Sequence, residues 1–134
     1  ATAPFTSQLV SELDFRLDSS GRSRIAISAC ANAACDGQYQ ISVFDVTDLL
    51  SGDTDTPEEL AVFNGFGSID LSPDGELLAV LQLDQLRVVD IDRAQIILER
   101  ALPVSGSGLA FAPDGSLIGV GTAGAVTLYG VPLE

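Results

Sequence analysis

Lysine, histidine, methionine and tryptophan are all absent from this chain, and the first two absences remove most familiar catalytic arrangements. Without histidine there is no Ser-His-Asp or Cys-His pairing, and without lysine there is no Schiff base and no Ser-Lys pair. Carboxylates are plentiful, but nothing in their spacing selects one catalytic pair, so the chain does not read as an enzyme. Cysteine is scarce: Cys30 and Cys35 are separated only by Ala31-Asn32-Ala33-Ala34. With no histidine and no Cys-x-x-Cys spacing, the pair does not read as a metal or haem site, and no cofactor is expected. It reads as a disulfide across a hairpin loop, worth about 2 kcal/mol in the chain-entropy model. That points to an oxidising compartment, extracellular or periplasmic.

Positive charge is also rare. Six arginines face 19 acidic residues, for a net charge of −13. Such a surface repels phosphates and anionic lipid, so nucleic acid is not an expected partner; cations and basic proteins are. No apolar run approaches the roughly 20 residues of a membrane-spanning helix, and no membrane insertion is expected. The chain opens at Ala1 with neither methionine nor a signal peptide, as would a mature chain after leader removal or an excised segment.

What is present is a repeat. Hydrophobic residues make up 46% of 134 residues, enough for one globular domain that buries about two thirds of its unfolded surface. The stretch from Ile69 to Arg93 carries a Ser72-Pro73-Asp74-Gly75 turn, in which proline presets φ, aspartate bonds nearby backbone and glycine accepts positive φ. The apolar run Leu77–Leu81 follows, then a tight turn at Asp84-Gln85 and the run Leu86–Val89, which ends in two β-branched valines. Strand, turn, strand, turn, strand is a β-meander. A second copy reads Ala112-Pro113-Asp114-Gly115-Ser116-Leu117-Ile118-Gly119-Val120, with Gly75 and Gly115 40 residues apart. A looser copy, Asp18-Ser19-Ser20-Gly21 followed by Arg24-Ile25-Ala26-Ile27, lies earlier.

The copies align in columns: Leu13-Asp14-Phe15, Ile69-Asp70-Leu71 and Leu109-Ala110-Phe111 before the turn, and the small residues Ala26, Ala79 and Gly119 in the middle strand. Ile41–Phe44, Leu86–Val89 and Val126–Tyr129 form the third strand. Glu59–Phe63 and Ile96–Leu102 read as a fourth strand preceding the second and third units, and Ala3–Ser7 is the candidate for the first. Four strands per repeat of about 40 residues is the arithmetic of propeller blades. The expected fold is all-β: three four-stranded antiparallel meanders, forming β-propeller blades in an incomplete ring. The blades would span roughly residues 3–46, 58–92 and 94–131, with a polar insertion over 48–57 and no helix. Asp53-Thr54-Asp55, with Glu58 and Glu59, offers oxygen ligands of the kind calcium accepts, but lacks the loop glycine and full ligand set. It reads as a solvated insertion.

The run L-R-V-V-D-I-D…A-L-P-V-S-G-S-G-L-A-F-A-P-D-G-S-L-I-G-V resembles YVTN-type β-propeller repeats and is more loosely similar to WD-repeat proteins. The resemblance covers essentially the whole chain and is most specific over Ile69–Tyr129. It carries the family's turn residues onto Pro73, Asp74, Gly75, Pro113, Asp114 and Gly115. No Gly-His or Trp-Asp pair occurs. The resemblance implies that Asp14 and Asp70 line the central channel, where two carboxylates could hold a cation; the alternative is that each accepts backbone N–H bonds locally. Asp45 and Asp90, ending the third strands, read as turn formers.

Three blades cannot close a ring. The third unit stops after Tyr129–Val131 without a fourth strand, and Ala3–Ser7 is a strand without a blade. The expected function is a non-enzymatic protein-interaction or assembly module that completes its ring with another chain. That chain is either a second copy, giving a six-bladed homodimer, or a subunit carrying the remaining blades. The alternative is part of a ligand-binding or hydrolytic, lactonase-like propeller whose active residues lie on other blades.

Overall fold

The computed structural model describes residues 10–30, 39–65, 67–103 and 105–132. Cys35 and the candidate strand Ala3–Ser7 lie outside the described residues. The rest forms three antiparallel sheets. The first comprises β1 (Val10–Leu17), β2 (Ser23–Cys30), β3 (Tyr39–Asp45) and β4 (Glu58–Asn64), in that order. The second runs β5 (Ser68–Leu71), β6 (Leu77–Gln82), β7 (Gln85–Asp90) and β8 (Gln95–Ala101). The third has β9 (Gly106–Phe111), β10 (Leu117–Thr122) and β11 (Ala125–Gly130). These are three blades of a β-propeller whose ring is not closed.

The repeat columns become structural rows. Asp14 pairs with Ala26 and Ala26 with Val43; Asp70 pairs with Ala79 and Ala79 with Val88; Ala110 pairs with Gly119 and Gly119 with Leu128. We call this face of each sheet its back. On the opposite, front face, Phe15 pairs with Ile25 and Ile25 with Phe44, as do Leu71, Leu78 and Val89, and then Phe111, Ile118 and Tyr129. The back of each sheet packs on the front of the next. Ala26, Ile41 and Val43 meet Ile69, Leu71, Leu78 and Val80; Ala79, Leu81, Leu86 and Val88 meet Ile118 and Val120. The central sheet is therefore apolar on both faces, which explains the unbroken burial of Leu78, Ala79, Val80 and Leu81. The small middle-strand residue on each back is what lets the next sheet approach.

Two expectations need correction. Glu58–Asn64 and Gln95–Ala101 do not open the second and third sheets; they close the first and second, hydrogen-bonded to β3 and β7. The blade boundaries thus fall at 65–67 and 102–105, not before each fourth strand. An antiparallel strand can return beside its predecessor through a tight turn, as β8 does through residues 91–94. The short connection after β8 then crosses to the innermost strand of the next sheet, held by Leu102 N–H to Asp84 C=O at 2.6 Å and Gly106 N–H to Leu83 C=O at 2.9 Å.

The segment 48–57 is not wholly a polar loop. It begins in a short helix, α1 (Thr47–Ser51), ended by Gly52 at φ +85°. Leu49 makes the difference: with Val46 it is buried against Ile25, Ile27 and Ala29 on the front of the first sheet. One apolar residue with a seat on the sheet is enough to dock a single helical turn that would not persist alone.

Gly67 is the tightest point in the connection into β5. Its φ is +136°, and a Cβ there would lie 2.0 Å from the Leu81 carbonyl oxygen. Gly67→Ala is expected to destabilise the fold by more than the ~1 kcal/mol typical of point changes. Gly130→Ala, where a Cβ meets nothing within 4 Å, should shift the urea midpoint little. Equal midpoints for the two variants would contradict this account.

Candidate functional site

The innermost strands carry the most informative polar residues. Asp14 Oδ2 accepts the Leu71 N–H at 2.9 Å, and Asp70 Oδ2 accepts the Phe111 N–H at 2.7 Å. Each carboxylate bridges to the next sheet, not to its own neighbourhood as a local acceptor would. Edge strands β5 and β9 present outward-facing N–H groups with no partner in their own sheets, and the preceding aspartate satisfies one on each. In the third sheet the column holds Ala110, so the relay stops there. Arg16 lies beside the two carboxylates, Nη2 being 3.5 Å from Asp70 and 3.9 Å from Asp14. Burial raises the Asp70 carboxyl above its ordinary value; the Phe111 N–H opposes this and the Asp14 charge adds to it. Among the described residues no group of three or more metal-ligating side chains comes together.

The two Pro-Asp-Gly turns are built alike. Gly75 N–H bonds Ser72 C=O at 2.8 Å and Gly115 N–H bonds Ala112 C=O at 2.9 Å, with the glycines at φ +71° and +76°. Asp74 Oδ1 accepts the Glu76 N–H, and Asp114 Oδ1 accepts both the N–H and the hydroxyl of Ser116. Those Ser116 bonds hold the Asp114 carboxyl below its usual value. Asp45 and Asp90 each fasten the bend after their strand, accepting the N–H of Thr47 and Arg93 respectively. Between the two Pro-Asp-Gly turns opens a cleft of about 670 Å³, bordered by Asp74, Glu76, Asp90, Asp92 and Asp114 with Arg93. Its field is negative and would turn away anionic ligands.

A second cross-sheet cluster was not legible as a motif. Arg24, almost wholly buried, donates to the Gly75 carbonyl at 2.8 Å and to Asp92 at 3.1 Å. Its Nε lies 3.2 Å from Asp18 as an ion pair without hydrogen-bond alignment. Ser19 donates its hydroxyl to Glu76 at 2.8 Å. Glu76 is raised above its ordinary value by hydrogen bonding to Asp92 and then by burial. Burial alone would raise Asp18, but bonds from Ser20 and Arg22 and the Arg24 charge outweigh it, leaving Asp18 lowered. The one available signal was the odd residue of a column: Arg24 stands where the later units have Leu77 and Leu117.

The two ends of the stack differ from its interior. On the back of the third sheet Val126 and Leu128 are 73% and 64% exposed, and Leu117 is exposed beside them. On the first sheet Leu13, Phe15 and Leu17 are each more than half exposed. Strand β11 ends its sheet, with no fourth strand beside it among the described residues.

No family model matches the chain, and no curated protein matches it by sequence. Solved structures do match. The β-propeller domain of Cps50 (Swd1) from Myceliophteria thermophila superposes with a TM-score of 0.70 at 16% identity, over 92% of this chain and 40% of that one. The C-terminal WD40 domain of Sif2 gives 0.63 at 14% identity, over 97% of this chain and 33% of that one. The fold is that of WD40-type β-propeller blades, and the chain spans less than half the length of either structure.

Substitutions at Asp70 separate its two roles. Asp70→Ala leaves the Phe111 N–H without its carboxylate and should cost about 1–3 kcal/mol. Asp70→Asn keeps an acceptor oxygen and removes the charge facing Asp14, so it should be close to neutral at pH 7. Because the folded state holds this proton more tightly than the unfolded chain, stability falls as the pH rises from 3.8 through the folded value, and returns on acidification. Asp18 and Asp45 have the opposite sign, their contribution being lost as the pH falls below 3.8. Urea unfolding should therefore be most resistant at mildly acidic pH, and Asp70→Asn should flatten the rise between neutral pH and that maximum.

Proposed function

We propose that this chain is a non-enzymatic protein-interaction and assembly module, and that its blades form a ring together with blades of another chain. The observation that carries this is the contrast between the interior of the stack and its ends. Inside, each sheet back is sealed by the front of the next; at the ends, apolar rows of the same type stand open. Exposed apolar surface of this kind, next to a strand edge that no other described strand covers, marks an interaction site. The absence of histidine and lysine from the sequence agrees with a binding role, and the likeness to WD40 domains supports it at the level of the fold.

A photoactivatable cross-linker placed at Leu128 in the native host tests this. It should yield a discrete protein adduct, while the same group at Leu83, exposed in the turn between β6 and β7 of the central sheet, should yield none. Indistinguishable patterns at the two positions would count against an assembly role.

The same proposal places the protein in an oxidising, extracellular or periplasmic compartment with Cys30 and Cys35 joined. Cys30 is buried at the end of β2. The intact, unreduced protein should then weigh two hydrogens less than the dithiol form, and two alkylatable thiols in freshly isolated material would exclude the crosslink.

A further inference from the structure

The two open ends of the stack are a sheet back and a sheet front, the two kinds of surface that meet at each internal contact. Each internal contact sets a small middle-strand residue on a sheet back, Ala26 or Ala79, beneath large inner-strand residues on the next front. On the back of the third sheet that position is Gly119, flanked by Gly108, Ala110 and Gly121 on β9 and β10. A Cβ added at Gly108 would meet nothing within 4 Å, and at Gly119 nothing closer than 3.6 Å. The result is an open trough along the inner two strands, walled on the outer side by Val126 and Leu128. It contains no ionisable residue.

The first sheet offers the matching ridge. Val46 and Leu49 already cover part of its front over Ile25 and Ile27. What stays open is the inner strand, where Leu13, Phe15 and Leu17 project in a row. Large inner-strand residues on a front facing a small middle-strand residue on the neighbouring back is the part of the internal contacts that this ridge reproduces.

We propose that the partner is a second copy of this chain: the Leu13–Phe15–Leu17 ridge of each copy seats in the Gly119 trough of the other. Made twice about a two-fold axis, this contact closes two chains into a ring of six sheets. The proposal rests on the assembly role above and names its partner. Two elements of the internal contacts are lacking: the middle-strand front row, which Val46 and Leu49 cover here, and the aspartate on the inner strand of the back. Phe15 holds the position of Leu71 and Phe111, whose N–H groups receive Asp14 and Asp70, but a copy presents Ala110 there. The contact between copies thus lacks both the middle-strand packing and the charge-assisted hydrogen bond of the internal ones. Ala110→Asp would supply the hydrogen bond.

Sedimentation equilibrium on the purified full chain, at about 0.15 M salt so that the repulsion between two acidic chains is screened within ~8 Å, tests this directly. The wild type should approach twice 13.9 kDa with rising concentration. Leu128→Arg and Leu13→Arg, both at exposed positions, should each remain folded by circular dichroism and sediment as single chains. Mixing the two variants restores one of the two contacts and should recover a weakened dimer, which a front-to-front or back-to-back pairing would not do in this way. Ala110→Asp should tighten the dimer about tenfold or more. A folded wild type of single-chain mass at high micromolar concentration overturns the proposal, as does a dimer indifferent to both arginine substitutions. If the chain is a monomer while Leu128 still cross-links to a different protein, self-assembly fails and the assembly role stands. If Leu128 cross-links to nothing, both fall.

Discussion

The Asp70 carboxylate reaches out of its own sheet to take the Phe111 N–H of the next one at 2.7 Å, and Asp14 does the same for Leu71. These two bonds join the innermost strands of neighbouring sheets. A charged acceptor on a backbone N–H is stronger and more directional than an apolar contact, so the pair sets the register of sheet on sheet. With that register held, Ala26 lies under Leu71 and its neighbours, and Ala79 lies under Ile118 and Val120. The apolar contacts supply most of the favourable free energy; the carboxylates decide where they are made.

Holding two partly buried carboxylates near one another has a consequence for charge. Arg16 offsets part of the repulsion, and Asp70 still holds its proton more tightly than an exposed aspartate does. At the turn end of the stack, the Glu76 and Asp92 pair repeats the theme, with Arg24 as the buried counter-charge. Both clusters lie between the first and second sheets or at their junction with the third. In each cluster one group is well shielded, Asp70 in the first and Arg24 in the second, while Arg16 and Asp92 stay in contact with solvent.

The relay stops at Ala110, and the apolar back of the third sheet goes uncovered at the same place. A sheet with two apolar faces is stable inside a stack and a liability at its end. The chain answers this unevenly: α1 lays Leu49 over part of the first sheet's front, while the third sheet has glycines where a large residue would otherwise stand exposed. The unevenness gives the stack a ridge at one end and a trough at the other.

Much of this was legible in residue order. Paired Pro-Asp-Gly turns 40 residues apart, alternating apolar rows and the recurring small residue of the middle strand depend on local geometry and strand period, and they specify blades, strand identity and which side chains share a face. The assignment of Glu58–Asn64 and Gln95–Ala101 to one blade or the next was not legible, because a strand between two meanders can pair with either neighbour, and only the turn that returns it settles which. Nor did order alone distinguish an aspartate that bonds locally from one that bonds a neighbouring sheet: Asp14 and Leu71 are far apart in the chain and meet only when two sheets stack. Arg24 shows the same limit. In the sequence it is a charged residue beginning an apolar strand; in the structure it is buried, because the Gly75 carbonyl, Asp18 and Asp92 arrive from three separate segments. Local propensity and period are written in neighbouring residues, whereas a desolvated charge is tolerable only once distant segments have converged to pair it.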